Sequence, residues 1–173
     1  MILGGGILNT FLRAKGYEVG KSLIEEEHVS DAVKILESDI ANKIIFPTDF
    51  SCATEDGIAN VELSRISASD SIYDLGSASI NEITNIVRKS VSVFWNGPLG
   101  YVEKKPFNKG TEELAKAIAD HNCFSIVGGG DTLPIIENLK LQNGYNCLST
   151  GGGSLLTYLE GGSLPIIDKL NLR

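Results

Sequence analysis

Phe124-Ser125-Ile126-Val127-Gly128-Gly129-Gly130-Asp131-Thr132-Leu133-Pro134 is an apolar run that stops in three glycines and continues into a segment with proline near its start. That order predicts a β-strand, a sharp turn and a helix. Glycine lets the backbone turn tightly and approach a ligand. Proline is tolerated in a first helical turn, where its missing amide costs little. The unpaired amides of that turn and the positive end of the helix dipole favour an anion, most often phosphate. The arrangement recurs where Met1-Ile2-Leu3 precedes Gly4-Gly5-Gly6 and where Cys147-Leu148-Ser149-Thr150 precedes Gly151-Gly152-Gly153.

Working outward from these triplets, short β-like runs alternate with amphipathic stretches. Strands are predicted at Met1 to Leu3, Lys43 to Thr48, Asn60 to Ser64, Ser71 to Leu75, Val91 to Trp95, Phe124 to Val127 and Asn146 to Ser149. Helices are predicted at Ile7 to Ala14, at Ile24 to Ile40 with Val29, Val33, Leu36 and Ile40 on one face, and from Thr111 with Leu114, Ala117 and Ile118. Ser79 and Glu82 have capping-box spacing ahead of Ile83, Ile86 and Val87. The alternation implies an α/β fold: a three-layer, mostly parallel Rossmann-like sheet with helices on both faces. Ligands of such sheets gather at the carboxyl ends of the strands, where all three triplets fall. Gly57, Gly144, Gly161 and Gly162 read as turns.

The length, 173 residues, suits one domain, and 42% hydrophobic with 21% charged residues is ordinary for a water-soluble chain. A formal charge of -7 argues against nucleic acid as a partner. Local amides must then capture any phosphate against the global field. No apolar run is long enough for a membrane span, and the amino end lacks signal-peptide character, so the expected location is the cytoplasm without membrane association. Cys52, Cys123 and Cys147 share no metal-ligand spacing and read as reduced cysteines in or near the core. His28 and His121 sit in polar stretches of predicted helices and read as solvated.

Two phosphate-loop readings fail on spacing. Gly16-Tyr17-Glu18-Val19-Gly20-Lys21-Ser22 has three residues between its glycines where a Walker A loop needs four, so Gly16 reads as a helix-ending glycine. The first triplet imitates a dinucleotide fingerprint, but Asn9 stands where the third glycine belongs, which disfavours a nicotinamide-dependent oxidoreductase.

Trp95-Asn96-Gly97-Pro98-Leu99-Gly100-Tyr101-Val102-Glu103, Gly128-Gly129-Gly130-Asp131-Thr132 and Ser149-Thr150-Gly151-Gly152-Gly153 occur in that order. Together they resemble the carboxyl-terminal, nucleotide-binding lobe of phosphoglycerate kinase. Ile2-Leu3-Gly4-Gly5-Gly6, Gly20-Lys21-Ser22-Leu23, Pro47-Thr48-Asp49-Phe50, Leu159-Glu160-Gly161 and Leu164-Pro165 extend the match along the chain. The resemblance implies phosphoryl transfer between 1,3-bisphosphoglycerate and MgADP, giving 3-phosphoglycerate and MgATP in glycolysis. A carboxylate acceptor is already ionised near neutral pH and needs no general base, so catalysis rests on positioning and charge neutralisation.

The resemblance also implies roles. Glu103 would hold the ribose hydroxyls, or else be a solvated loop glutamate. Asp131 would be the magnesium-associated carboxylate, or a helix N-cap, or both. Gly129, Gly130 and Thr132 would meet the nucleotide phosphates, and Gly151, Gly152 and Gly153 the transferring group, as the catalytic element. Gly5 and Gly6 would floor the adenine pocket; tight turns are the plain alternative for any of these glycines. Asn96 and Pro98 would shape the nucleotide pocket or simply form a turn.

The chain departs from the family pattern at three places: Ser77 stands for a proline, Ile72-Tyr73 for a small-then-apolar pair near adenine, and Ser154-Leu155 for an alanine and a serine. Tyr73 could stack on the base or narrow its pocket. The expected organisation is a single nucleotide-binding domain over 1–173, incomplete at its amino end and without the basic lobe that grips phosphoglycerate. Such a chain would bind ADP or ATP with Mg2+ but not turn over alone. The alternative is a non-catalytic interaction module that retains the fold and pairs through an exposed strand edge.

Overall fold

The computed structural model describes residues 1–170. Six strands are present: β1 (Asp49–Thr54), β2 (Gly57–Glu62), β3 (Ser71–Leu75), β4 (Ser92–Asn96), β5 (Phe124–Gly128) and β6 (Cys147–Ser149). The α-helices are α1 (Gly5–Ala14), α2 (Val29–Leu36), α3 (Ser77–Val87), α4 (Lys109–Asp120), α5 (Leu133–Asn138), α6 (Gly152–Leu159) and α7 (Pro165–Lys169).

The fold is α/β. Strands β4, β5 and β6 form a parallel sheet in sequence order, with Trp95 opposite Val127 and Val127 opposite Leu148. Gly128 meets Leu155 of α6 on one face of this sheet. Trp95 and Val127, which alternate to the other face, share a buried core with Leu114 and Ile118 of α4 and Ile136 of α5. Each strand therefore hands its chain to a helix across the top of the sheet. Near its amino end the chain runs parallel to residue 45 through a single bridge, Ile2 to Ile45.

Helical spacing explains the packed faces. Leu8, Phe11 and Leu12 of α1 are buried, as are Ile80, Ile83 and Val87 of α3. Lys15 caps α1, and Gly16 follows with φ +82°, the left-handed conformation in which a helix commonly ends. Pro134 lies in the first turn of α5 as its sequence suggests.

Several elements differ from the sequence reading. Strands β1, β2 and β3 form a separate antiparallel sheet in the order β2-β1-β3. Alternation of strands and helices does not reveal it, because Glu55 and Asp56 join β1 to β2 as a two-residue hairpin loop closed by the Thr54–Gly57 pair. The predicted strand over Lys43 to Thr48 reduces to the Ile45 bridge. Pro47 has no amide to give a ladder, and pairing resumes at Asp49. The strand predicted from Asn60 to Ser64 is shifted to Gly57–Glu62, and Leu63–Arg65 is a short 3-10 turn.

The long helix predicted from Ile24 to Ile40 is α-helical only from Val29 to Leu36. Its start is tethered to α1 instead: the Leu23 carbonyl accepts from Asn9 Nδ2 at 3.1 Å, and the Glu25 amide donates to Thr10 Oγ1 at 3.1 Å. At its end the Ser38 hydroxyl donates to the Ile35 carbonyl at 2.6 Å.

The Ser79 and Glu82 capping box is not formed either. Helix α3 starts earlier, behind Gly76, and Asp49 caps it, with carboxylate oxygens accepting from the Ala78 amide at 3.1 Å and the Ser79 amide at 2.8 Å. The Ser79 hydroxyl donates to the same carboxylate at 2.6 Å, and Asn60 Nδ2 from β2 does so at 2.8 Å. Burial pushes the Asp49 carboxyl up, but these hydrogen bonds outweigh it and hold it below the usual carboxylate range.

Cys52 and Cys123 are buried, and burial pushes the Cys52 thiol up to about 12. Cys147 is exposed, against the expectation of a core position, because β6 is an edge strand. His28 is exposed, whereas His121 is half-buried with Nε2 at 2.9 Å from the Ser90 carbonyl. Among the described residues no helix is long and apolar enough to cross a membrane.

Candidate functional site

The loop leaving β4, Asn96-Gly97-Pro98-Leu99, touches all three glycine triplets. Two side chains hold it in shape: Trp95 Nε1 donates to the Gly97 carbonyl at 2.7 Å, and the Leu99 amide donates to the hydroxyl of buried Thr111 at 3.0 Å. Thr111 thus anchors the loop rather than opening α4, which begins at Lys109. Gly97 has φ +86°, a conformation that other residues adopt only with strain.

Toward the first triplet, the Gly5 amide donates to the Leu99 carbonyl at 3.0 Å, and a Cβ on Gly4 would lie 2.8 Å from Leu99 Cα. Gly5 has φ +58° and faces the Pro98 carbonyl, while a Cβ on Gly6 would meet exposed Leu23 at 3.5 Å. Toward the other two triplets the fit is tighter. A Cβ on Gly128 would lie 2.9 Å from Asn96 Oδ1. One on Gly129, which has φ +107°, would lie 3.2 Å from the Gly97 amide nitrogen and 3.3 Å from Thr132 Oγ1. One on Gly152 would lie 2.6 Å from the Gly129 nitrogen and 3.0 Å from Asn96 Oδ1. Side chains are excluded at Gly128, Gly129 and Gly152 for a packing reason, and the result is a patch of backbone with small groups above it.

Thr132 is fully buried, and its hydroxyl has no hydrogen-bond partner. A buried polar group without a partner is costly and marks a place that a ligand or water completes. Asp131, one residue earlier, is exposed and makes no side-chain hydrogen bond, so it does not cap α5. Its oxygens are free to face solvent or a cation. Gly130, Gly151 and Gly153 have open space or only ordinary contacts where a Cβ would be, so packing alone does not require glycine there. Glu103 is exposed and makes no hydrogen bond or ion pair, so the protein leaves it free without fixing its direction.

Beyond the Asn96–Leu99 loop, Tyr73 packs on Tyr101 with ring centroids 5.6 Å apart and edge-on to Phe107 at 4.9 Å, with Lys104 Nζ 5.3 Å above its ring. The Tyr101 amide donates to the Tyr73 carbonyl at 2.7 Å. Tyr73 is therefore engaged by its own neighbours. Tyr101 belongs to the Trp95–Glu103 motif and Phe107 to a further match of the resemblance, but their packing on Tyr73, and that of Lys104, was not read from sequence, since all three lie more than two dozen positions away.

Beneath Tyr73, Asp74 is buried, and its carboxylate accepts from the Gly110 and Leu75 amides at 2.8 Å each. A Cβ on Gly100 or Gly110 would lie 2.4 and 2.5 Å from its Oδ1, so Asp74 excludes side chains at Gly100 after the loop and at Gly110 in the first turn of α4. Burial pushes its carboxyl up to about 6 despite the amides. A folded-state value above the unfolded one, about 3.9, means stability that is complete below pH 4 and lost as pH rises through 6. Urea unfolding is expected to show about 1 kcal/mol more stability at pH 5 than at pH 7 from this group, a gain that Asp74→Asn abolishes.

Among the described residues no three acidic, histidine or cysteine groups converge as a complete metal cage. A lone, unpartnered carboxylate such as Asp131 fits a hard cation that keeps its waters and is held mainly by phosphate oxygens.

The family model for phosphoglycerate kinase matches residues 1–162. The phosphoglycerate kinase of Buchnera aphidicola subsp. Baizongia pistaciae is 45% identical over 98% of this chain and 43% of its own length. That of Blochmanniella floridana is 43% identical, with 98% of this chain and 43% of the relative covered. Among solved structures, the Coxiella burnetii phosphoglycerate kinase superposes with TM-score 0.90 at 37% identity, covering 99% of this chain and 46% of that one. The Pyrococcus horikoshii OT3 enzyme gives 0.86 at 30% identity, covering 98% and 44%. The chain spans less than half the length of these relatives.

Proposed function

Because this chain belongs to the phosphoglycerate kinase family, we propose that its single domain is the part of such an enzyme that binds ADP or ATP with magnesium. The observation that carries this reading is the Asn96–Leu99 loop, which hydrogen-bonds Gly5 through Leu99 and packs Gly129 and Gly152 against Asn96 and Gly97. A nucleotide lying across it would place its base at Gly5, Gly6, Leu23 and Pro98 and its ribose toward Glu103. Its phosphates would reach the amides of Gly129 and Gly130 and the unpartnered Thr132 hydroxyl. Amides offered by a rigid backbone stabilise phosphate charge without reorganising.

Magnesium, when bound with the nucleotide, supplies neutralisation of phosphate charge, and Asp131 is the carboxylate placed to face it. The amino end of α6, at Gly151 to Gly153, lies beside Gly129 and is the surface toward which the transferring phosphoryl group would project. The groups that meet here, Asn96, Thr132 and the glycine amides, carry no positive charge. A phosphoryl transition state needs cationic partners, commonly worth orders of magnitude in rate. In this reading, 3-phosphoglycerate and 1,3-bisphosphoglycerate engage the other part of the family's length, and this chain assayed alone does not turn over. The place of action is the cytoplasm, in glycolysis.

Two measurements test the reading. Calorimetric titration with MgADP should show one site per chain, and Asp131→Ala should weaken it by about tenfold, or about 1.4 kcal/mol. Titration with ADP in EDTA should be insensitive to the substitution. Equal affinity of both proteins for MgADP removes Asp131 from its role. A coupled assay with 3-phosphoglycerate and MgATP should show no rate above background; substantial phosphorylation by this chain alone would sink the assignment of the second substrate elsewhere.

A further inference from the structure

Asn9, the residue that breaks the dinucleotide fingerprint of the first triplet, lies in α1 and is only 3% exposed. Its side-chain amide can be oriented in one way. The Leu23 carbonyl, 3.1 Å from Nδ2, can only accept, so the nitrogen must face it and Oδ1 must face elsewhere. That oxygen is buried and has no hydrogen-bond partner among the described residues. An amide oxygen shut away from water and left unpaired is costly, and native folds rarely keep one.

Asn9 also lines a cavity of about 10 Å³, closed in by Gly5 and Leu8 of α1, Ile72 to Leu75 of β3 and Leu99 of the loop after β4. Leu23 is not among these residues, so the polar end of Asn9 turned to the cavity is the oxygen. Gly5 has no side chain and contributes backbone to the wall. The volume is room for about one water molecule and for nothing larger. Cavities that stay dry are apolar throughout, and this one is not. The gap also has a cause in the sequence. In a dinucleotide fold the third glycine lets the helix close directly on the strand. With asparagine at that position, the approach of α1 to β3 leaves a small polar space.

We propose that this cavity is a binding site for one structural water molecule, which donates one hydrogen bond to Asn9 Oδ1 and a second to a backbone carbonyl of the cavity wall. The water joins α1 to the elements around it, β3 and the Asn96–Leu99 loop, directly beneath the turn at Gly5. Asn9 is then a two-sided connector. Its nitrogen holds the segment at Leu23, and its oxygen holds the water. The site stands on the orphaned oxygen and the matching cavity, and it is independent of the nucleotide reading.

The test uses the whole chain without nucleotide. A high-resolution crystal structure should show density for one water within about 3.2 Å of Asn9 Oδ1. Oxygen-17 magnetic relaxation dispersion, which counts waters with long residence, should find one fewer in Asn9→Leu, a substitution of similar shape that removes the acceptor. Thr10→Val is the control. It removes the neighbouring tether, in which the Glu25 amide donates to Thr10 Oγ1 at 3.1 Å, but it removes no group of the cavity, so the count should stay as in the parent. A cavity without density beside Oδ1, or an unchanged count in Asn9→Leu, overturns the proposal. So does an equal loss in Thr10→Val, which would assign the water to the tethered segment instead. Should Asn9→Leu fail to fold, the density in the parent chain decides alone.

Discussion

Gly152→Ala is expected to lower the stability of the chain by about 1–3 kcal/mol and to weaken nucleotide binding at least tenfold. The added methyl carbon would lie 2.6 Å from the Gly129 nitrogen and 2.7 Å from its Cα, and both obstacles are backbone. Either α6 moves away from β5, or the turn at Gly129 shifts off Asn96 and Gly97. Each outcome opens the junction that gathers the amides proposed to meet the nucleotide phosphates. Gly153→Ala is the matched control: nothing lies within 4 Å of the position its Cβ would take, and alanine is the better helix residue. Urea denaturation and MgADP titration of the two variants separate steric blocking at one position from a general intolerance of the triplet. Loss of stability should be confined to Gly152→Ala.

Asp49→Ala is expected to cost about 3 kcal/mol, although Asp49 lies outside the proposed nucleotide site. The substitution leaves the amides of Ala78 and Ser79, the Ser79 hydroxyl and the Asn60 side chain without the carboxylate that now accepts from all of them. It also removes the negative charge at the start of α3. Three elements, β1, β2 and α3, are joined through this one group. Gly76 is fitted to it so closely that a Cβ there would lie 2.2 Å from the Asp49 carboxyl carbon. Asp49→Asn keeps one acceptor oxygen and should recover part of the loss in a urea titration. A stability change below about 0.5 kcal/mol for the alanine variant would mean that the four donors find other partners.

The parts of the fold that were legible in the sequence are those whose signal is local. Each glycine triplet ends an apolar run, so β5 with α5 and β6 with α6 could be read from their own residues, and Pro134 marked its helix correctly. The antiparallel sheet was not legible as such, because its strands resemble any others until pairing is known. The helix expected from residue 24 shows the same limit: its periodicity was sound, but Asn9 and Thr10 of α1 claim the backbone at Leu23 and Glu25. Asp49 illustrates it again, since a serine three residues before a glutamate resembles a capping box, whereas the acceptor used comes from a distant strand.

At the candidate site, the glycines were legible and their separate reasons were not. Gly129 and Gly152 are forced by contact with neighbouring backbone. Gly130 and Gly153 have open space around them, so any requirement for glycine there comes from a ligand. The buried Thr132 hydroxyl was predicted as a contact from resemblance alone, and its lack of a protein partner now gives the prediction a physical basis. Thr111, Tyr101 and Phe107 were noted in the sequence, Thr111 as the start of a helix and the other two as part of the resemblance, but their contacts beside the loop carried no local signal.

In the proposed complex one nucleotide spans the Asn96–Leu99 loop from the first triplet to the second and third. The direct measurement is an amide chemical-shift map of the chain titrated with MgADP. The largest saturable shifts are expected at Gly5, Gly6, Gly129, Gly130 and Thr132, appearing together with a single dissociation constant. Shifts confined to residues away from the loop, or no saturable shift at millimolar MgADP, would contradict it.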